Sequence, residues 1–348
     1  MSEYRVGIVG LSWITSEPAR PGTHPVLGVA PPHSHLSGLA TIPSVTVVSG
    51  CDIVPEARER FVENWSPTWP GLTTYADFRE MLETEDLDIV CVATPDHLHG
   101  DVVRVAAESG VKGIFCEKPM SVNLADVDSM IEAIGKHGVT VNVNHTRRWM
   151  PVYVAARESV RSGAIGTLTR VAIHYGGARA MLWRNHSHFL DMLTYFAEGN
   201  PEWVTAELEP GFEDYGTAYK GDGGRSPELE PGINAFFGYD NGVRGVLSGM
   251  KAGAPIVNVE LIGSDGMIRL NDQQAHLLLP TDRGLSTTPI IPAGTWQGMQ
   301  AGIIDLITAI ETGREPQSPP HEARKTVAMI EGILQSQAAG NSRVPLNS

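Results

Sequence analysis

Short, unbroken apolar runs alternate with amphipathic stretches through the first part of the chain. Tyr4–Val9, Val45–Cys51, Ile89–Ala93, Gly113–Cys116 and Thr140–Asn144 read as buried strands. Between them Pro55–Asn64, Tyr75–Glu83, Gly100–Ser109 and Leu124–Lys136 carry helical spacing, with Gly110 and Gly138 as stops. Apolar strands separated by helices predict a parallel sheet covered on both faces, a doubly wound α/β domain. Beyond Arg147 the alternation ends. A helix over Val152–Ser162 is followed by strand-like runs at Leu168–Tyr175, Gly232–Tyr239, Val243–Met250, Val257–Gly263, Met267–Leu270 and Ala275–Leu279. Asp240-Asn241-Gly242 and Gly263-Ser264-Asp265-Gly266 supply hairpin turns, which predicts a mostly antiparallel sheet. Helices over Met299–Thr312 and His321–Ala338 close the pattern. The expected division is residues 1–146 and 147–348, with the last helices able to pack back on the first domain. The stretch Glu209–Gly232, rich in Gly, Pro and acids, reads as a long loop that touches substrate or a neighbouring subunit.

Composition narrows the class. The 348 residues, 42% hydrophobic, suffice for two cored domains. A formal net charge of -14 disfavours nucleic acid and anionic membranes as partners, since both are bound largely through clustered Lys and Arg. No apolar run reaches the roughly 20 residues that span a bilayer, and the start of the chain lacks a signal-peptide layout, so a cytoplasmic protein is expected. Cys51, Cys91 and Cys116 each lie in or at the end of an apolar run and read as reduced core residues.

The chemistry gathers at strand ends. "GIVGLSWITS" begins as a dinucleotide-binding turn, but where G-x-G-x-x-G needs two more glycines after Gly10 the chain has Ser12 and Thr15. Backbone N–H groups at Ser12, Trp13 and Ile14 still suit a pyrophosphate. Asp52 follows the second strand, where a carboxylate accepts ribose hydroxyls and repels a 2′-phosphate, favouring NAD over NADP; alternatively it caps the next helix. The interval between turn and acid is long, so Ser16–Pro32 reads as an insertion and the usual first helix is expected near His33. In "VATPDHLHGDVV", Thr94 and Pro95 end a strand, and His97 and His99 either edge a cofactor or begin a helix. "CEKP" puts Glu117 and Lys118 at another strand end, where Lys118 is placed to take a hydroxyl proton or forms a surface ion pair with Glu117. "WRNHSHFLDML" opens a helix with His188 and Asp191 at i, i+3; His188 suits a base of near-neutral pKa, while His186, His188 and Asp191 are a weaker metal alternative.

Taken together, "VGIVG", Asp52, "ATPDHLHGDVVRVAAESGVKGIFCEKPMSVNLAD", "VNHTRRWMP", "HSHFLDML" and "AIETGREPQSPPHEARKTVAMIEGILQS" resemble the Gfo/Idh/MocA family, the glucose–fructose oxidoreductase and inositol dehydrogenase group. The resemblance implies a Rossmann domain, a carboxyl-terminal α+β domain whose open-faced sheet mediates homo-oligomers (dimers or tetramers), and NAD(P)-dependent chemistry on a sugar, polyol or glycoside. It implies Lys118 and His188 as catalytic residues, nicotinamide near Thr94, Pro95, Glu117 and Lys118, and a cis bond before Pro119; no metal is expected, since a zinc pair of His97 and His99 lacks a third and fourth ligand. Many inositol-type members carry an aspartate where this chain has Arg184. Arg184 and Asn185 are therefore substrate-binding candidates, with Arg148 and, less directly, Arg147 and Arg179. An NAD-dependent glycosidase and a non-catalytic nucleotide-binding sensor are the competing readings.

Overall fold

The computed structural model describes residues 3–18, 32–216, 226–294 and 298–347. It divides into two compact units, Met1–Thr146 with Trp296–His321, and Arg147–Thr295 with Glu322–Ser348. In the first unit the chain runs β1 (Tyr4–Val9), α1 (Trp13–Ser16), α2 (His35–Leu39), β2 (Val45–Cys51), α3 (Pro55–Trp65), β3 (Thr73–Tyr75), α4 (Phe78–Thr84), β4 (Ile89–Val92), α5 (His99–Glu108), β5 (Gly113–Cys116), α6 (Leu124–His137) and β6 (Thr140–Val143). All six strands pair in parallel, in the order β3-β2-β1-β4-β5-β6. The strand order reverses between β1 and β4, and a crevice at such a switch point is where open α/β sheets bind ligands.

Local chemistry sets the helix ends. Pro55 occupies the first turn of α3, where its missing N–H costs nothing. Asn123 accepts the Asp126 N–H to cap α6, which ends on Gly138 at φ 67. Two expectations need adjustment. Tyr75 closes the strand β3, and the helix begins only at Phe78, because the Asp77 side chain caps the Arg79 N–H. The helix expected near His33 is the five-residue α2, capped reciprocally by Ser34 and Ser37. The insertion at Ser16–Pro32 lies mostly outside the described residues.

The second unit comprises α7 (Pro151–Arg161), β7 (Leu168–Tyr175), α8 (Asn185–Ala197), β8 (Pro201–Leu208), β9 (Ile233–Tyr239), β10 (Arg244–Gly249), β11 (Val257–Gly263), β12 (Met267–Leu270), β13 (Ala275–Thr281) and β14 (Gly284–Ile290). Next come α9 (Met299–Thr312), which belongs to the first unit, α10 (Pro320–Ala338), and β15 (Val344–Pro345). The second sheet runs β14-β13-β12-β11-β7-β10-β9-β8-β15 and is antiparallel except between β7 and β10.

Period-two alternation gives this sheet two different faces. Val171, Ile173, Phe237, Leu247, Val259 and Leu261 point inward and are buried. Outward positions include Arg170, His174, Phe236 and Arg244. α8 packs on β7 and β10. On its other side Thr194 meets Met329 of α10, so α8 is buried nearly all round.

In the first unit Met299, Ile303, Leu306 and Ile307 of α9 share one core with Val6, Ile8, Val47, Phe61 and Phe115. Burying each such side chain contributes about 1.5–3 kcal/mol. The segment after α9 covers the edge strand β6: Val143 N–H donates to Ser318 O at 2.9 Å, and buried Asn142 bonds Gly302 O, Asp305 and Ser318 N–H. Covering an edge removes a pairing liability.

Candidate active site

In the first unit the candidate residues collect at the carboxyl ends of β1, β2, β4 and β5. Gly10 has φ +93, and a Cβ there would stand 2.5 Å from the Ala93 carbonyl oxygen. The turn therefore needs glycine at this position for both conformation and close approach to β4. Ser12 is extended, at φ -73 and ψ 178, and needs no glycine. Thr15, at the third glycine position, is fully buried. Trp13 is 42% exposed and Ile14 half-buried. Gly10 N–H donates to Cys51 O, while Thr15 and Ser16 N–H both donate to Ser12 O, closing one helical turn. That turn is the whole of α1, too short to sum an appreciable helix dipole.

Asp52 braces the turn. Its Oδ2 accepts Leu11 N–H at 2.8 Å and its Oδ1 accepts Val54 N–H at 2.9 Å. The cap position of α3 is Val54, so Asp52 is not the cap. A carboxylate has about four lone-pair sites, and Asp52, half-exposed, keeps two beyond these bonds. With the φ-positive Gly10 cradle and the Rossmann strand order, this arrangement fits a dinucleotide.

At the end of β4, Thr94 is half-buried, Pro95 exposed, and Asp96–Leu98 form a 3-10 turn that exposes His97. His99, expected at the cofactor edge, is instead fully buried: Nδ1 lies 2.9 Å from Pro119 O and Nε2 2.9 Å from Thr94 O. Its ring is used up within the protein and does not reach outward. Glu117 is likewise interior rather than a surface residue. Its Oε1 takes His35 Nε2 at 2.9 Å and Asn144 Nδ2 at 2.6 Å, and its Oε2 accepts Lys118 N–H at 3.2 Å. Burial pushes this carboxyl up, but His35, Lys118 and Asn144 together hold it at about 2. Glu117 thus stays ionised and fixes the backbone of half-buried Lys118, whose bond to Pro119 is cis. His35 and Asn144 are site residues that the sequence did not single out. No spacing links them to Glu117; helix α2 and the end of β6 bring them to the end of β5.

The second unit holds the remaining candidates around the start of α8. Asn185 Nδ2 donates to Tyr175 Oη at 2.7 Å, and Arg184, half-buried, occupies the cap position. His188 is half-buried. His186 is fully buried with both ring nitrogens unbonded, and burial with nearby Lys251 lowers its pKa to about 3. Its ring packs against Gly249, where a Cβ would come within 2.0 Å of Nε2. Arg148 corrects an expectation. Instead of facing substrate it is buried, its Nε and Nη2 gripping Asp191 at 2.8–3.0 Å and Nη2 reaching Glu322 at 3.3 Å. Arg147 is similarly held by both oxygens of Asp272 and lies 4.3 Å over the Phe189 ring. Arg179 is half-buried beyond β7.

Among the described residues no group of three or more His, Cys, Asp or Glu is arranged to hold a metal ion. The three cysteines are free and buried, and burial pushes the Cys51 thiol up to about 12, far from a reactive thiolate. Among the described residues no helix is long and apolar enough to cross a membrane.

Comparison with known proteins agrees with this geometry. Residues 4–145 match the profile described as an oxidoreductase family with an NAD-binding Rossmann fold, and residues 153–269 match the GFO/IDH/MocA C-terminal domain. D-apiose dehydrogenase of Paraburkholderia graminis is 26% identical over 293 residues, covering 77% of this chain and 76% of its own. The scyllo-inositol 2-dehydrogenase (NAD(+)) of Bacillus subtilis is 26% identical over 289 residues, 76% of this chain and 75% of its own. Aldose-aldose oxidoreductase from Caulobacter crescentus, solved with glycerol, aligns with a TM-score of 0.79 over 99% of this chain and 100% of its own, at 22% identity, which establishes likeness of fold.

Proposed function

The chain belongs to the Gfo/Idh/MocA family of oxidoreductases with an NAD-binding Rossmann domain, and on that premise we propose that it transfers a hydride between NAD and a hydroxyl-bearing carbon of a sugar, polyol or glycoside. The observation that carries this reading is the end of β5: an ionised, buried Glu117 holding the backbone of Lys118 at the mouth of a nucleotide-binding sheet. NAD, when bound, supplies the hydride acceptor. Gly10 admits the nucleotide close to the sheet, the N–H groups at Ser12, Trp13 and Ile14 meet its phosphates, and Asp52 accepts the ribose hydroxyls. Thr94 and Pro95 border the nicotinamide end.

Lys118 orients the substrate hydroxyl and takes its proton, and His188 is assigned as second proton carrier. Arg184 and Asn185 bind the substrate's other oxygens; Tyr175 fixes the Asn185 amide. The named relatives act on apiose and scyllo-inositol, which supports polyhydroxylated substrates here. The outward face of the second sheet, where Phe236 is 38% exposed and Trp203 lies beneath Arg343 and Arg244, suits association of copies of this chain into a dimer or tetramer. Free buried thiols suit a reducing, cytoplasmic setting.

The test is an NADH-formation screen over polyols, aldoses and glycosides. Saturable turnover with at least one neutral sugar or polyol is expected. Glycoside cleavage without net NADH would move the assignment to an NAD-dependent glycosidase, and binding without turnover to a sensor.

A further inference from the structure

We propose that His99 is a positioning residue, clamping the Thr94 loop to the Lys118-Pro119 turn and so setting where the Lys118 side chain stands. Both of its ring nitrogens sit 2.9 Å from carbonyl oxygens. The ring is fully buried, so a hydrogen bond lost there is not replaced by water.

The two carbonyls belong to the two segments that carry nicotinamide-end candidates, Thr94 after β4 and Pro119 after Lys118. Upstream, Glu117 holds the Lys118 N–H; downstream, His99 holds the Pro119 carbonyl. Lys118 is thus gripped on both sides. His99 is the first residue of α5, whose Val102, Val103, Ala106 and Ala107 are buried, so the clamp is mounted on a rigid element.

The positioning role rests on the proposed function of Lys118. His99→Gln is expected to lower kcat on the order of 10- to 100-fold with KM for the sugar or polyol changed far less, and His99→Asn is the second variant should the first not fold. An unchanged kcat in a cooperatively folded variant overturns the positioning role, as does a raised KM with kcat retained. Absence of turnover in the parent protein overturns the dehydrogenase reading and the positioning role together.

Discussion

Asp52 has two tasks at once. Its carboxylate ties the nucleotide turn to the end of β2 through Leu11 N–H and presents its remaining lone pairs outward. Asp52→Asn keeps one acceptor and loses the charge, so NAD is expected to bind about tenfold more weakly, about 1.4 kcal/mol, and the discrimination against NADP to shrink; calorimetry with both nucleotides checks this. Lys118→Ala is expected to reduce kcat by about 100-fold or more with NAD affinity retained, and unchanged turnover would remove Lys118 from the proton transfer. His186 carries a pH signature. Its buried ring has a pKa of about 3, against about 6.5 when unfolded. The unfolded chain therefore binds a proton first, and the stability contributed by the neutral ring is complete above about pH 6.5 and declines as pH falls toward 3, by up to about 1.4 kcal/mol per pH unit. Urea unfolding at pH 7 and pH 5 should show a smaller drop in His186→Gln than in the parent.

Among the elements, the turn after β1 and the helix α8 are held most specifically. Gly10→Ala would place a methyl against the Ala93 carbonyl at φ +93, costing at least about 1–3 kcal/mol and displacing the backbone that meets the nucleotide; thermal unfolding and NAD titration check both effects. Arg148→Ala would leave Asp191 buried and unpaired from its bidentate partner, a loss of about 3–5 kcal/mol, whereas Arg148→Met with Asp191→Leu should unfold much closer to the parent in denaturant. These two elements also show what a sequence reveals. The strands β1, β2, β4, β5 and β6 were legible because each is a mainly apolar run, buried throughout in β4 and β5 and at most positions in the others. β14 was not, because its Ser, Thr and Pro residues are exposed along the strand and give no alternation. β8 was hidden by its opening Pro201 and its interspersed Thr and Glu, and β3 and β15 are too short to show a period. The places of Lys118 and Asp52 just past β5 and β2 were legible because strand-end motifs put them there. Arg148 was misread, since its partners Asp191 and Glu322 come from helices far along the chain, and burial of such a pair has no local signature.

At the scale of the molecule there are two units of different architecture. One holds a parallel sheet within an NAD-binding Rossmann domain, and the other a mostly antiparallel sheet on which α8 packs. α9 returns to complete the first core, so truncation before Met299 would strip Met299, Ile303, Leu306 and Ile307 from it. The account depends most on the altered turn, with Ser12 and Thr15 for glycines, still holding NAD. The measurement that tests this most directly is parallel calorimetric titration of nucleotide-stripped full-length protein with NAD and NADP. Saturable binding of NAD, clearly tighter than NADP, is the predicted result. A folded protein that takes up neither nucleotide would contradict the account at its base.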